Sequence, residues 1–311
     1  MIDDRIAELE LHLRDNRDDL ESWAVLGDLW LEKGHPRGEI IALTLKQEEM
    51  NPLNQVNLIE RIRELENSLS SELSSVRDYI NFKYSWGYID TLFMSYQGGF
   101  EEVLRFLEGK ESIMLRSLHY RSLTNSYLMK LEASLEGKAL RKLDMSGDCS
   151  YYEALMISGS NNLKELRTLN LARNNLRRDS LRRLLRGCKL PNLRELDLSD
   201  NTLEVSDIEE LCESDLDLEY LNLDQNNLWD RGAELIANRF KGLKYLSLEG
   251  CLIGTEGAIA ISGLKDLEVL NIGSNNIGAE GEQALRALQG CDYYIGSSRF
   301  LMPLIFRSAY C

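Results

Sequence analysis

The chain has 311 residues, 43% of them hydrophobic and 28% charged, with a formal net charge of −15. That acidity argues against general nucleic-acid binding, which needs a basic face for phosphates, and favours basic partners. No apolar run reaches the roughly 20 residues of a membrane helix, and six cysteines without a C-x-x-C pair, beside three histidines (His12, His35, His119), argue against a zinc site.

The start, MIDDRIAELELHLRD, is acidic and amphipathic. It lacks the basic-then-apolar order of a secretory signal. With cysteines scattered at 149, 188, 212, 251, 291 and 311, it predicts reduced thiols and a cytoplasmic protein. Residues 1–85 do not repeat and read as an all-α segment. In ESWAVLGDLWLEKGHPRGEIIALTLKQEE, Trp23, Leu26 and Trp30 share a helical face, Gly34 stops that helix, and Pro36 starts the next. His35 reads as a turn or capping residue, and Arg37 is expected to pair with a carboxylate inside the helical segment. Ile59, Ile62, Leu65 and Leu69 recur at helical spacing and predict a third long helix. The phrase LGDLWLEKGHPRGEIIAL, matched from Trp23 to about Leu45, together with WGYIDTL (Trp86–Leu92), resembles a bacterial repeat-companion domain found ahead of leucine-rich repeats. The match departs at Gly27, where that family has alanine, and at His35, where it has aspartate. The resemblance implies a bacterial cytoplasmic protein and brings no biochemical activity with it.

From about residue 89 one phrase returns. L-x-x-L-x-L-x-x-N-x-L begins at Leu166, Leu193, Leu218, Leu243 and Leu267, which are 27, 25, 25 and 24 residues apart. Weaker copies begin at Ile89, Leu115 and Leu140, giving eight repeats over residues 86–290. The L-x-L alternation is a short strand with its leucines facing inward, and stacked neighbours bury what one strand cannot. The asparagine (Asn174, Asn201, Asn226, Asn275) sits where the chain leaves the strand, where its amide can bond turn backbone otherwise without partners. Cys251 takes that place in one copy, so it reads as structural rather than nucleophilic; Asp148 takes it in the Leu140 copy. Between strands, apolar residues recur at helical intervals: Ala233, Ile236 and Phe240 on one return, Ala258, Ile261 and Leu264 on the next. The G-x-x-G-A run from Gly254 to Ala258 resembles the ribonuclease-inhibitor class of leucine-rich repeats. That resemblance implies a curved parallel sheet inside and helices outside. Residues 291–311 are apolar enough to cap the open end of the core, and Pro303 argues against a long helix there.

The predicted fold is therefore α/β: a right-handed leucine-rich repeat solenoid behind an all-α N-terminal cap, divided at 1–85, 86–290 and 291–311. No phosphate-binding G-x-x-x-x-G-K-[ST] loop and no G-x-S-x-G elbow is present. No catalytic residue, cofactor or metal is expected. The informative residues are those the strands turn towards the concave face: Asp144, Asn170, Glu195, Asp197, Asp200, Tyr220, Asn222, Asp224, Tyr245 and Glu249. Tyrosines flanked by carboxylates suit a basic protein surface. A second patch is basic: Arg173, Arg177, Arg178, Arg182, Arg183, Arg186 and Lys189 surround one return helix, with Leu181, Leu184 and Leu185 as its buried side. A solvated helix face is the favoured reading of it, and an anionic-partner or self-association site the alternative. The expectation is a non-catalytic protein-binding scaffold with a basic protein partner, no nucleic acid and no membrane. The alternatives are a regulator of a GTPase or ubiquitin-type enzyme, and a structural spacer whose helical domain is the binder.

Overall fold

The computed structural model describes residues 1–73, 76, 79–94, 99–120, 125–147, 157–176, 178–187, 190–288 and 290–295. The chain separates into two compact units, Met1–Asp144 and Met145–Cys311. The fold class is the one the sequence predicts: an α/β repeat solenoid with a helical N-terminal region. Among the described residues no helix is long and apolar enough to cross a membrane.

The first unit opens with helices α1 (Ile2–Asp15), α2 (Leu20–Glu32), α3 (Pro36–Glu48) and α4 (Val56–Leu69). Asp19 caps α2 by accepting from the Ser22 backbone N–H at 3.0 Å. Gly34 ends α2 with φ +66°, and His35 caps α3, its Nδ1 accepting the Arg37 N–H at 3.2 Å. Gly38 lies where α2 and α3 touch. A Cβ there would stand 2.5 Å from the Leu31 backbone nitrogen, so only glycine permits this spacing. The helical spacing from Ile59 to Leu69 is a burial gradient: Ile59 is exposed, Ile62 half-buried, Leu65 and Leu69 buried.

Residues 80–85, assigned from sequence to the end of the helical segment, form strand β1 (Ile80–Ser85). It runs antiparallel to β2 (Tyr88–Met94). Trp86 and Gly87, both at positive φ, make the tight turn between them. Trp86 stacks on buried Trp23 at 4.7 Å. Tyr88 donates to Glu10 at 2.7 Å and accepts from Trp30 Nε1 at 2.8 Å. Among the described residues Arg37 makes no ion pair with a carboxylate, though its charge acts on Glu10. Its guanidinium lies 4.8 Å from the centre of the Tyr88 ring and donates to the Gly87 carbonyl at 3.1 Å. Instead, the buried carboxylate of this cluster, Glu10, takes its hydrogen bond from the Tyr88 hydroxyl. The carboxylate that does receive a buried arginine is Asp90, 2.6 Å from Arg17. Strands β3 (Ser117–Tyr120) and β4 (Lys142–Asp144) follow β2 in parallel, with helices α5 (Phe100–Glu108) and α6 (Asn125–Ser134) between.

The second unit repeats one design. Strands β5 (Thr168–Asn170), β6 (Glu195–Asp197), β7 (Tyr220–Asn222), β8 (Tyr245–Ser247), β9 (Val269–Asn271) and β10 (Asp292–Tyr294) pair in parallel in chain order. Helices α7 (Arg178–Gly187), α8 (Val205–Cys212), α9 (Trp229–Arg239), α10 (Thr255–Ile261) and α11 (Gly278–Leu285) return the chain. Leu169, Leu196, Leu221, Leu246 and Leu270 face one another across the sheet and are at most 1% exposed. Ala233, Ile236 and Phe240, and Ala258, Ile261 and Leu264, are buried as their spacing predicts. Gly257 lets α10 approach its neighbour, since a Cβ there would meet Asp230 and Ile253 at 2.7 Å. Strand β10 continues the series past residue 290. The rest of the predicted C-terminal cap, residues 296–311, lies outside the described residues, as do Asp148 and cysteines 149, 188 and 311.

The ladder asparagines do what their position requires. Asn201 Oδ1 accepts the N–H groups of Asn174 and Leu176, at 3.0 and 3.1 Å, from the preceding repeat; its Nδ2 donates to the carbonyls of Leu171, Leu198 and Ser199. Asn226 serves Asn201 and Leu203 in the same way, and Asn275 serves Cys251 and Ile253. The residue just before each ladder position is left-handed: Arg173, Asp200, Gln225, Gly250 and Ser274 have φ of 60°, 57°, 56°, 64° and 55°. A non-glycine residue held there costs on the order of 1 kcal/mol. The strand pairing on one side and the asparagine amide on the other offset that strain.

The turns after the ladder position fall into two forms. Where the next repeat supplies an asparagine, the residue after the ladder position is also left-handed: Asn175 (φ 47°), Thr202 (51°) and Leu252 (62°). After Asn226 the next repeat supplies Cys251, which has no amide oxygen. There the N–H groups of Leu228 and Trp229 both turn to the Cys251 carbonyl, at 3.2 and 3.1 Å, and the left-handed residue moves to Trp229 (φ 54°). The turn after Asn275 behaves alike, with Gly278 at φ 70°. At the four described turns with a described following repeat, the form of the turn thus goes with the residue at that repeat's ladder position.

Candidate functional site

The sheet face opposite the helices carries the predicted acidic and aromatic residues, and most of them have structural duties. In each strand, the residue between the two leucines points out of the leucine column but stays covered. Asn170, Asp197 and Asn222 are 4%, 1% and 1% exposed. Each accepts the N–H two residues ahead: Asn170 from Ala172 at 2.9 Å, Asp197 from Ser199 at 2.9 Å, Asn222 from Asp224 at 3.0 Å. These are side-chain turns of the kind Asn and Asp favour.

Ser247 is too short for that task. The Glu249 N–H goes instead to Asp224 Oδ1 of the preceding repeat at 2.6 Å, and the same oxygen accepts from the Ser247 hydroxyl at 2.6 Å. Asn222 Nδ2 donates to Asp197 at 3.2 Å, and Asn271 Nδ2 donates to Ser247 and Glu249 at 3.0 and 3.1 Å. One polar network therefore runs from Asp197 to Asn271. Burial pushes the Asp224 carboxyl up to about 7, with Asp197 and Glu249 adding to the rise and its two hydrogen bonds opposing it.

Tyr220 and Tyr245 stack face to face, with ring centres 4.2 Å apart and planes 7° from parallel, and Val269 continues the row. They are 4% and 8% exposed. Burial raises both phenols, Tyr245 to about 12. The tyrosines expected to face a partner are thus plates within the sheet face. What that face presents to solvent is its carboxylate rim: Asp200 is exposed, and Glu195, Asp224 and Glu249 are half-buried. Glu195 accepts from Thr168 at 2.8 Å, and Asp200 lies 3.5 Å from Arg173.

In the first unit, Asp144 is buried and 3.1 Å from His119, whose ring stacks on Phe93 at 4.5 Å. The repeat spacing sets Phe93, His119 and Asp144 at equivalent positions of successive strands, and the pairing of β3 with β4 puts His119 opposite Asp144.

The predicted basic patch is partly neutralised. Arg182 and Arg186 both reach Glu210 of α8 at 3.1 Å. Arg183 is exposed, and Leu181, Leu184 and Leu185 form the buried side. Arg177, Lys189 and the side chain of Arg178 lie outside the described residues. The thiols of Cys212 and Cys251 are pushed by burial up to about 11 and about 12, away from the thiolate that a nucleophile requires. Cys251 Sγ donates to the Leu223 carbonyl at 3.1 Å, replacing one of the asparagine amide's bonds. Among the described residues no group of three or more His, Cys, Asp or Glu side chains is placed to hold a metal.

Sequence comparison matches the leucine-rich repeat family over residues 189–212, 216–237, 243–262 and 264–285. No curated protein matches the chain. Among solved structures, a Bacteroides fragilis protein is similar at 14% identity and a TM-score of 0.47, over 68% of this chain and 66% of that one. The TLR13 complex with a single-stranded RNA is similar at 18% identity and a TM-score of 0.41, over 66% of this chain. The chain matches 33% of the TLR13 chain's length.

Proposed function

We propose that this leucine-rich repeat chain is a non-catalytic scaffold that holds a basic protein partner against the sheet face of its second unit. The observation that carries this reading is the rim of Glu195, Asp200 and Glu249, which keeps carboxylate oxygens at the surface, with Glu195 held by Thr168 and Glu249 by Asn271. Fixed charges give a partner orientation and on-rate, and cost little ordering entropy on binding. The raised thiols of Cys212 and Cys251 argue against a nucleophilic role for those two residues. The net charge of −15 favours a basic partner over an acidic one.

The test is affinity capture with the full chain from its native cell, compared with E195K/D200K/E249K. These three positions leave Asp197 and the Asn222 turn intact. The reading requires that captured partners be lost while the melting temperature stays within a few degrees. Undiminished capture by the triple variant would refute the strand-face site.

A further inference from the structure

Trp229 is 57% exposed and at positive φ, three residues past its ladder position, where the next repeat has Gly254 and the one after it Gly278, the latter also at positive φ. An indole in a glycine's conformation, turned to solvent, gains nothing for the fold. Leu252, 46% exposed and also at positive φ, lies on the adjoining turn. The two are neighbours because the Trp229 N–H bonds the carbonyl of Cys251, the residue before Leu252. Exposed Glu204, three residues past the ladder position of the preceding repeat, forms an isolated β-bridge with Asn227, two residues before Trp229. Asp230 follows Trp229 directly. Its Oδ1 is occupied by the N–H groups of Gly254 and Gly257, at 2.6 and 2.9 Å. Glu256, exposed, lies in the first turn of α10. The cation closest in sequence, Arg231, is engaged with Glu234 at 2.8 Å.

We infer that Trp229 and Leu252 form a second recognition site, distinct from the strand face, for a protein segment carrying a lysine or arginine beside an aliphatic residue. The occupant follows from complementarity. An exposed indole face attracts a cation. Glu204, Asp230 and Glu256 supply negative charge around it, and Leu252 supplies the apolar neighbour. The site is set by Cys251. Its missing amide oxygen sends the preceding turn into the form that turns Trp229 outward, and an asparagine there would draw the Leu228 N–H away and leave Asn227 as the left-handed residue, as at Asn175 and Thr202.

The experiment selects random displayed dodecapeptides on the full chain and then titrates labelled synthetic copies of those enriched. The selected peptides should share Lys or Arg next to an aliphatic residue. W229A should weaken them by about tenfold or more, as loss of an aromatic anchor does, while W229F retains most of the affinity. C251N should weaken them comparably although Trp229 remains, and E204K/E256K should weaken them at low salt by a factor that shrinks as salt rises. E195K/D200K should leave them unchanged, which separates this site from the strand face. The inference is overturned if no peptide is enriched, if the enriched peptides lack basic residues, or if W229A binds them equally. It is also overturned if the chain forms a dimer that W229A dissolves, which would give the patch to a second copy of the chain.

Discussion

The helical start of the first unit and the repeats of the second keep their backbones in order by opposite means. Around α1–α3, single contacts do the holding: Trp23 on Trp86, Tyr88 between Glu10 and Trp30, Arg37 over Tyr88, Gly38 against Leu31. None of them recurs. In residues 168–288 the same few bonds are made in successive repeats by whichever residue stands at the register position. The difference teaches where each region is vulnerable. The helical cluster has no substitute for any member. The repeats form a chain of nearest-neighbour interfaces, where a fault is local but is felt by the adjoining repeat.

The largest effect expected is at the ladder. N226A leaves the buried N–H groups of Asn201 and Leu203 without acceptors, at about 3–4 kcal/mol in all. Hydrogen exchange should show the loss in residues 198–228 and leave α1–α3 protected. If protection in the helices falls equally, the contrast drawn between the two regions fails. Next comes G38A, whose Cβ must displace the Leu31 backbone and should cost about 2 kcal/mol. Its exchange signature should be the reverse, confined to the helical start.

A smaller effect sharpens the account of the turns. C251N restores the amide oxygen and should change stability by no more than about 1 kcal/mol, while the backbone coupling constants of residues 227 and 229 exchange their values. Unchanged coupling would mean that the residue in the following repeat does not select the turn.

The smallest effect is in the response to pH. Asp224 has its carboxyl raised from 3.8 to about 7, so the folded chain holds a proton there that the unfolded chain releases. Its contribution is complete below about pH 4 and is lost as pH rises to 7. Asp19, at the α2 cap, is the mirror case. Hydrogen bonds from Ser22 and His12 hold it down to about 2, so its contribution is present above pH 4 and lost on acidification towards 2. D224N should flatten the slope of urea stability between pH 4 and 7, and D19N should flatten it below pH 4. An unchanged slope in D224N would show that its carboxyl does not titrate there.

Much of this was legible in the sequence. Five leucines at a near-constant interval specify their own column, because strand and return helix have almost no freedom once those side chains are buried. The helix faces from Ala233 to Leu264 follow for the same reason. The candidate site was less legible. Tyr220 and Tyr245 read as recognition residues because an outward strand position was equated with exposure, whereas parallel strands about 4.8 Å apart bring such rings into contact and cover both. Asp197 reads as a free carboxylate until the Ser199 N–H is seen to need an acceptor. Arg37 reads as half of an ion pair, but its cationic plane lies over the Tyr88 ring and acts on Glu10 without an ion-pair contact. Strand β1 escaped notice because its partner, β2, had been assigned to a repeat rather than to a hairpin. Trp229 gave no periodic signal, since its position is defined by what Cys251 lacks.

That last dependence sets a rule for anyone who would cut and rejoin this array. A cassette excised between Leu218 and Phe240 carries its strand, its helix and its tryptophan, but the instruction for its bend stays behind in the downstream segment. Spliced ahead of an asparagine-bearing unit, the same residues would fold into a differently shaped corner, so the exchangeable module here is one and a fraction repeats long.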